Sequence, residues 1–147
     1  MRVVFGVGVD ITKVARIERL INRGTYFRER FLTGTFHVSE IEEFKTKDAE
    51  HVQFQYLASR WALKEALVKA SGRTDLEYTG IYLDKSTQTK DGQKKSKPKL
   101  AVSGEKNTRI LFQELAVCEM HASVSHEEDY AVAFVTLETE SEQLAKD

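Results

Sequence analysis

A glutamate interrupts the apolar face of the longest helical pattern in this chain of 147 residues. Glu65 shares one helical stripe with the apolar side chains Phe54, Leu57, Ala58, Trp61 and Val68. A carboxylate there needs a partner, because an unpaired buried charge would be neutralised by protonation. An ion pair with Lys69, one turn later, would stabilise a helix surface by about 0.2–0.5 kcal/mol. The other interpretation is Mg²⁺ held by Glu65, a second carboxylate and ligand phosphates.

A second carboxylate, Asp10, follows a predicted strand in which glycines occupy alternate positions. Gly6 and Gly8 leave one face of that strand bare, so another backbone or a ligand could approach beside Asp10. Asp10 could also cap the helix that begins near Thr12, or favour its N-terminus by its charge. Asp10 and Glu65 together are the pair of carboxylates that Mg²⁺ commonly takes beside substrate phosphates. A third fingerprint glycine and a P-loop are both missing, which disfavours a dinucleotide-binding or P-loop fold.

Cationic side chains flank Glu65 on the same predicted helix. Arg60, Lys64 and Lys69 fall within about 14 Å along the helix axis, at 1.5 Å per residue. Such a patch could bind a pyrophosphate, or it could be an ordinary solvated helix face. His126, at the end of a later strand, could donate a hydrogen bond to a ligand or be structural. The histidines lack zinc-site spacing such as HExxH.

The composition excludes several classes of function. The 22 Lys and Arg balance 23 Asp and Glu, and this near-zero net charge argues against bulk nucleic-acid binding. No apolar run approaches the roughly 20 residues of a membrane-spanning helix, and the N-terminus lacks a secretory signal pattern. We therefore expect neither nucleic acid nor membrane as a partner. Trp61 and the long polar insertion favour a mitochondrial matrix location, and the cytoplasm is the alternative. Cys118 is the only cysteine, so no internal disulfide can form, and we expect it to be buried.

Hydrophobic periodicity predicts the elements that position these side chains. In chain order they are a strand at 3–10, helices from about 12 to 23, at 26–32 and 39–45, a long helix at 51–71 closed by Gly72, strands at 76–83 and 100–102, a helix at 104–115, and a hairpin of strands 119–125 and 130–137. This order predicts an α+β fold in which a small antiparallel sheet packs with the long helix. We expect a single domain over 1–138, a lysine-rich loop insertion at 85–97 and a flexible acidic tail at 139–147.

Four motifs, spread in order along the chain, resemble those of the holo-acyl-carrier-protein synthase group of 4′-phosphopantetheinyl transferases. They are Gly6-Val7-Gly8-Val9-Asp10-Ile11 with Arg16-Ile17-Glu18, Arg30-Phe31-Leu32-Thr33 with Glu40, Arg60-Trp61-x-x-Lys64-Glu65-Ala66-x-x-Lys69, and Ser123-Val124-Ser125-His126-x-x-x-Tyr130-Ala131. The resemblance weakens between Gly72 and Met120, where Ser96-Lys97-Pro98 stands in place of the family's usual Gly-Lys/Arg-Pro turn.

The resemblance implies a phosphopantetheinyl transferase fold over 1–138 and a particular reaction. The phosphopantetheine arm of coenzyme A would pass to a serine of an apo acyl carrier protein, with release of adenosine 3′,5′-bisphosphate. Asp10 and Glu65 would hold Mg²⁺, Lys64 and Lys69 would contact the phosphates, and Lys64 would stabilise the leaving group. The base that takes the serine proton would be a metal-bound water or Glu65 itself.

The resemblance also assigns the binding of both substrates. Arg60 and His126 would bind the nucleotide end of coenzyme A, and the further coenzyme A contacts would be Gly72, Lys97 and Pro98. Because carrier proteins are acidic, the family docks them on a basic first helix, to which Arg16, Arg23 and Arg30 correspond.

Short members of the family are homotrimers with active sites between subunits, so we expect this chain to form a trimer. Two other functions fit some of the same residues. A non-catalytic binding module for carrier protein or nucleic acid would need the basic helix alone. A Mg²⁺-dependent phosphohydrolase would use the carboxylates without any carrier protein.

Overall fold

The computed structural model describes residues 1–85 and 97–144. Its elements are β1 (Arg2–Lys13), α1 (Val14–Ile21), α2 (Thr25–Thr35), α3 (Val38–Lys45), α4 (Glu50–Ser71), a 3₁₀ turn (Tyr78–Gly80), β2 (Ile81–Asp84), β3 (Lys99–Val102), α5 (Glu105–Thr108) with a π-helical continuation (Arg109–Glu114), β4 (Val117–His126), β5 (Tyr130–Glu140) and α6 (Ser141–Leu144). Helices combined with small antiparallel sheets confirm the predicted α+β fold class.

The strands form two antiparallel sheets. One has the order β1-β5-β4, and the other pairs β2 with β3. Val9 of β1 lies opposite Phe134 of β5, which lies opposite Ser123 of β4. The predicted C-terminal hairpin is present as β4 and β5. The last strand, β5, is thus the central strand of the larger sheet and pairs with the first strand, β1, on one side and with β4 on the other.

The glycines of β1 are needed where the long helix crosses the sheet. A Cβ atom at Gly6 would lie 2.0 Å from the carbonyl oxygen of Ala70, and one at Gly8 would lie 2.0 Å from that of Ala66. The bare strand face is therefore occupied by the backbone of α4 and not by a ligand. This close approach brings the C-terminal half of α4 beside the end of β1.

The strand β1 runs to Lys13, beyond its predicted end, and α1 begins only at Val14. No side chain caps this helix; the Val14 amide instead donates to the carbonyl of Asp129 at 2.9 Å. Asp10 thus lies within a strand, and the interpretation of Asp10 as a helix cap is wrong.

The helix α4 packs between two apolar clusters, one beneath the larger sheet and one beneath the first three helices. It contributes Leu63 and Leu67 to the first cluster and Phe54 and Leu57 to the second. It matches the predicted long helix within one residue and ends at Gly72, whose φ of 71° is left-handed.

None of the helices within 1–85 and 97–144 has the length and apolar character to span a membrane.

The structure corrects the predicted boundary of the C-terminal tail. β5 continues to Glu140 and α6 follows, and the buried Thr139 hydroxyl donates to the carbonyl of Ala116 at 2.8 Å. Residues 139–144 therefore belong to the folded part, whereas 145–147 lie outside the described residues. The predicted insertion at 85–97 lies outside them as well, except for its two ends.

Cys118 is exposed, so the prediction that it is buried is wrong. The register of β4 against β5 shifts between Val117 and Glu119, which leaves Cys118 as the extra residue of a bulge. Its thiol contacts the carbonyl of Glu138 at 3.4 Å.

Candidate active site

Asp10 and Lys69 meet where β1 passes α4. The Lys69 ammonium donates to Asp10 Oδ1 at 3.2 Å and to the carbonyl of Val9 at 3.0 Å. The buried Thr12 hydroxyl donates to Asp10 Oδ2 at 2.8 Å. A carboxylate has about four lone-pair positions, so these two bonds leave positions for a further ligand.

Glu65 faces the same region but does not pair with Lys69. Among the described residues it forms no ion pair, so the predicted bond to Lys69, one turn away, is absent. Its charge acts on Tyr78, a residue of the 3₁₀ turn that follows α4. Burial of the Tyr78 hydroxyl, together with the negative charges of Glu65 and Asp10, raises the pKa of Tyr78 well above its ordinary value. The two carboxylates therefore act on one tyrosine.

Tyr78 is the member of this cluster that sequence reasoning missed. It lies in the segment predicted as the strand 76–83, where nothing in the residue pattern marks it. Its ring packs edge to face against Trp61, with ring centroids 5.8 Å apart. Only packing of the 3₁₀ turn against α4 brings it to Glu65.

Lys64 lies inside the protein. Its ammonium has no exposed surface and donates to Glu40 Oε1 at 2.6 Å and to the carbonyl of Ile81. Burial lowers the pKa of Lys64, and the charge of Glu40 opposes this shift. In this arrangement the Lys64 ammonium does not face solvent, so the structure does not bring Lys64 together with Lys69 at the surface, and its phosphate contact stays a prediction. The side chain instead joins α3, α4 and β2.

Arg60 and His126 line one cavity of about 300 Å³. The Arg60 guanidinium lies 4.6 Å from the centre of the Tyr56 ring. Lys47 and Lys85 also line this cavity, so it is rich in positive charge. The structure thus brings together the two residues that the resemblance assigned to the nucleotide. The described lining includes neither of the two carboxylates of the Tyr78 cluster.

The other residues assigned to coenzyme A lie apart from both groups. Lys97 and Pro98 line a cavity of about 230 Å³ beside His121 on β4. Gly72 ends α4, its amide donating to the carbonyl of Val68 at 2.9 Å. Within one chain these residues meet neither Arg60 nor the carboxylates.

The three basic residues assigned to carrier docking, in the first two helices and the turn between them, lie on aromatic rings. Arg16 stacks on Trp61 and Arg23 on Phe27, each 5.5 Å from the ring centre. Arg30 lies 5.5 Å from the ring centre of Tyr26 and donates to its hydroxyl at 2.7 Å. The side chains of Arg23, Arg30 and the two exposed rings line a groove of about 310 Å³. We call this surface, formed by Leu20, Arg23, Tyr26, Phe27, Arg30 and Phe31, the α1–α2 groove.

The arrangement suits chemistry on a phosphate ester. In the described part of the chain, no three His, Cys, Asp or Glu side chains form a metal site by themselves. Two carboxylates are nevertheless sufficient for Mg²⁺, which keeps several waters and takes substrate phosphates as its remaining ligands. Lys69, half exposed beside Asp10, can reach such a phosphate.

Known proteins resemble the chain over most of its length. Residues 6–135 match the ACPS family, described as the 4′-phosphopantetheinyl transferase superfamily. The holo-[acyl-carrier-protein] synthase of Vibrio cholerae is 37% identical over 136 residues, covering 92% of this chain and 98% of the relative. That of Halothermothrix orenii is 34% identical over 130 residues, covering 88% and 94%. The Helicobacter pylori enzyme, solved in complex with coenzyme A, superposes with a TM-score of 0.67 at 30% identity, covering 89% of this chain and 98% of that one.

Proposed function

This chain belongs to the 4′-phosphopantetheinyl transferase superfamily, and on that premise we propose that Asp10, Glu65 and Lys69 form its catalytic centre. The reaction is the transfer of 4′-phosphopantetheine from coenzyme A to a serine of an apo acyl carrier protein. The serine oxygen forms a new bond to the phosphorus of the arm, and the bond from that phosphorus to adenosine 3′,5′-bisphosphate breaks. The observation that carries the assignment to these residues is the contact between β1 and α4, where Lys69, one helical turn after Glu65, donates to Asp10 Oδ1 at 3.2 Å.

Mg²⁺ fits this centre because its donors are hard carboxylate oxygens with free lone pairs. Asp10 and Glu65 would hold the ion, which when bound neutralises charge that develops on the pyrophosphate. Lys69 would exchange its contact with Asp10 for one with a phosphate of coenzyme A. Phosphoryl transfer depends mainly on such positioning and charge stabilisation.

The test is intact-mass spectrometry of an apo acyl carrier protein after incubation with this protein, coenzyme A and Mg²⁺. We expect a mass gain of one phosphopantetheine group and release of adenosine 3′,5′-bisphosphate. A carrier whose acceptor serine is replaced by alanine is the control. Consumption of coenzyme A without a carrier would instead support a phosphohydrolase, and carrier binding without modification would support a binding module.

An uncovered apolar face of the larger sheet supports a homotrimer. Val9, Ile11 and Phe134 expose 52%, 66% and 47% of their surface, although Val9 and Phe134 are register partners on neighbouring strands. Exposed apolar patches of this kind commonly mark interfaces. Association through this face would let the Arg60–His126 cavity of one subunit complement the carboxylates of another.

If sites form between subunits, two inactive variants restore each other. We expect Glu65→Gln and Arg60→Met to lack transfer activity separately and to regain it when the two chains are co-expressed and purified as mixed oligomers. The physical reason is that some interfaces then combine an intact Glu65 with an intact Arg60. Activity is measured on oligomers purified through two different affinity tags.

The control is Ile11→Lys, which places a charge on the apolar face and should yield monomers by light scattering. Mixed oligomers that stay inactive would show that each site is built within one chain.

The α1–α2 groove would dock the acidic carrier protein. We expect Arg23→Glu to raise the KM for carrier roughly tenfold at low salt, because a reversed charge slows electrostatically steered association. The KM for coenzyme A should stay unchanged. Steady-state kinetics across a salt series measures both.

The matched control for the groove is Arg109→Glu, an exposed arginine outside it. An equal rise of carrier KM in both variants would mean that overall charge, and not the groove, guides docking.

The relatives at 34–37% identity described above are bacterial proteins. Of the two expected compartments we therefore propose the cytoplasm, and nothing supports the mitochondrial matrix.

A further inference from the structure

A single carboxylate, that of Glu43, lies among the cations of the Arg60–His126 cavity. In the part of the lining that the structure describes, the other charged side chains are those of Lys47, Arg60 and Lys85. Positive charge therefore exceeds negative charge in this cavity even before His126 is protonated. An excess of one sign in a cleft attracts ligands of the opposite sign, and the nucleotide end of coenzyme A carries phosphates.

The carboxylate of Glu43 is already bound by two of these cations and by a hydroxyl. The Lys85 ammonium donates to Oε1, the Lys47 ammonium lies 3.6 Å from the same oxygen, and the Tyr56 hydroxyl donates to Oε2 at 3.0 Å. Burial alone would raise the pKa of Glu43, but the two hydrogen bonds and the charges of Lys85 and Arg60 outweigh it and hold that pKa below its ordinary value. Glu43 is thus a fixed anion on the lysines that a phosphate in the cavity would need.

Arg60 differs from the two lysines in its freedom to move. It is only 7% exposed, and its Nη1 donates to the Ser59 hydroxyl at 3.0 Å on the same helix. The side chains of Lys47 and Lys85 are 29% and 50% exposed. Arg60 therefore stays in place, whereas the lysines are free to turn from Glu43 to a ligand.

We infer that Glu43 is a specificity-determining residue: it competes with the phosphate of a bound nucleotide for Lys47 and Lys85, and so limits how tightly the cavity holds a phosphorylated ligand. The inference rests on the proposed function, in which this ligand is the nucleotide end of coenzyme A. A lysine that turns to a phosphate gives up its contact with Glu43, and the uncovered carboxylate then repels the phosphate. The competition would favour release of the product, adenosine 3′,5′-bisphosphate.

The inference is tested with Glu43→Gln, which removes the charge and keeps an oxygen for the Tyr56 hydroxyl. Isothermal titration calorimetry with adenosine 3′,5′-bisphosphate gives a readout independent of turnover. We expect the Kd of the variant to fall roughly tenfold at low salt, because a like charge no longer opposes the ligand. The gain should shrink as salt screens the charges. Glu43→Asp keeps the charge and should resemble the wild type.

The matched control is Glu42→Gln, the same change at an exposed neighbour outside the lining of the cavity. Its Kd should equal that of the wild type. Unchanged or weaker nucleotide binding by Glu43→Gln would overturn the inference and leave the proposed function intact, and weaker binding would mean that Glu43 holds the lysines in place for the ligand. An equal gain in both variants would assign the effect to overall charge and also overturn the inference. A wild-type protein that neither binds the nucleotide nor modifies a carrier would overturn the proposed function and the inference with it.

Discussion

Glu65→Gln is expected to reduce phosphopantetheine transfer by about 10²–10³-fold, the loss typical when one preorganised electrostatic contact to a developing charge is removed. Glutamine has nearly the same shape and keeps one side-chain oxygen. The fold should therefore persist while the negative charge that would hold Mg²⁺ is absent. Intact-mass spectrometry of the carrier protein at fixed times measures the rate.

The matched control is Glu50→Gln, the same change at an exposed position in the first turn of the same helix. Its rate should equal that of the wild type. A Glu65→Gln rate within about threefold of the wild type would be too small a loss for a group that acts on the transition state. Glu65 would then be a structural carboxylate.

Lys64→Met is expected to lower the free energy of unfolding by about 3–5 kcal/mol, because removing one partner of a buried ion pair leaves the other charge uncompensated. Glu40 is almost completely buried, and its Oε2 has no hydrogen-bond partner among the described residues. The carbonyl of Ile81 would also lose its donor. Urea unfolding of the wild type and the variant measures the difference.

A double-mutant cycle separates this pair from general packing. Lys64→Met combined with Glu40→Leu should recover much of the loss, because apolar residues can replace a buried ion pair at little cost. Lys45→Met, which changes an exposed lysine at the end of α3, is the control.

The same variant also tests the original assignment of Lys64 to the phosphates. If Lys64 is structural, the folded fraction of Lys64→Met retains transfer activity. If stability is unchanged while activity is lost, the ammonium must leave Glu40 during the reaction and contact a phosphate.

Local pattern was sufficient to predict the main elements of this fold. The helix α4 is evident from its helical periodicity and the glycine at its end, because burial of one face imposes a repeat of 3.6 residues. The strand β1 and the C-terminal hairpin are evident from the alternation of apolar and polar residues, because burial of one face of a strand imposes a repeat of two residues. Asp10, Glu65 and Lys69 could be nominated as a group because their types suit phosphate chemistry.

The local pattern could not predict where a polar side chain points or which residue it contacts. Lys64 and Glu65 are adjacent in sequence, yet one ammonium is enclosed against α3 and β2 while the other side chain faces Tyr78. Lys69 bonds to Asp10, 59 positions away, and not to Glu65. Which partner a charge finds depends on the surfaces that packing brings against its helix.

Residue type and periodicity thus determined the α+β class, the long helix, the family motifs and the candidate carboxylates, because these depend on neighbours within a few positions. Only the tertiary structure decided that β1 glycines admit a helix backbone, that Lys64 is buried, and that Tyr78 joins the site. Each of these depends on contacts between segments that are distant in sequence. Close packing of the interior fixes those contacts, and the local residue pattern does not predict them.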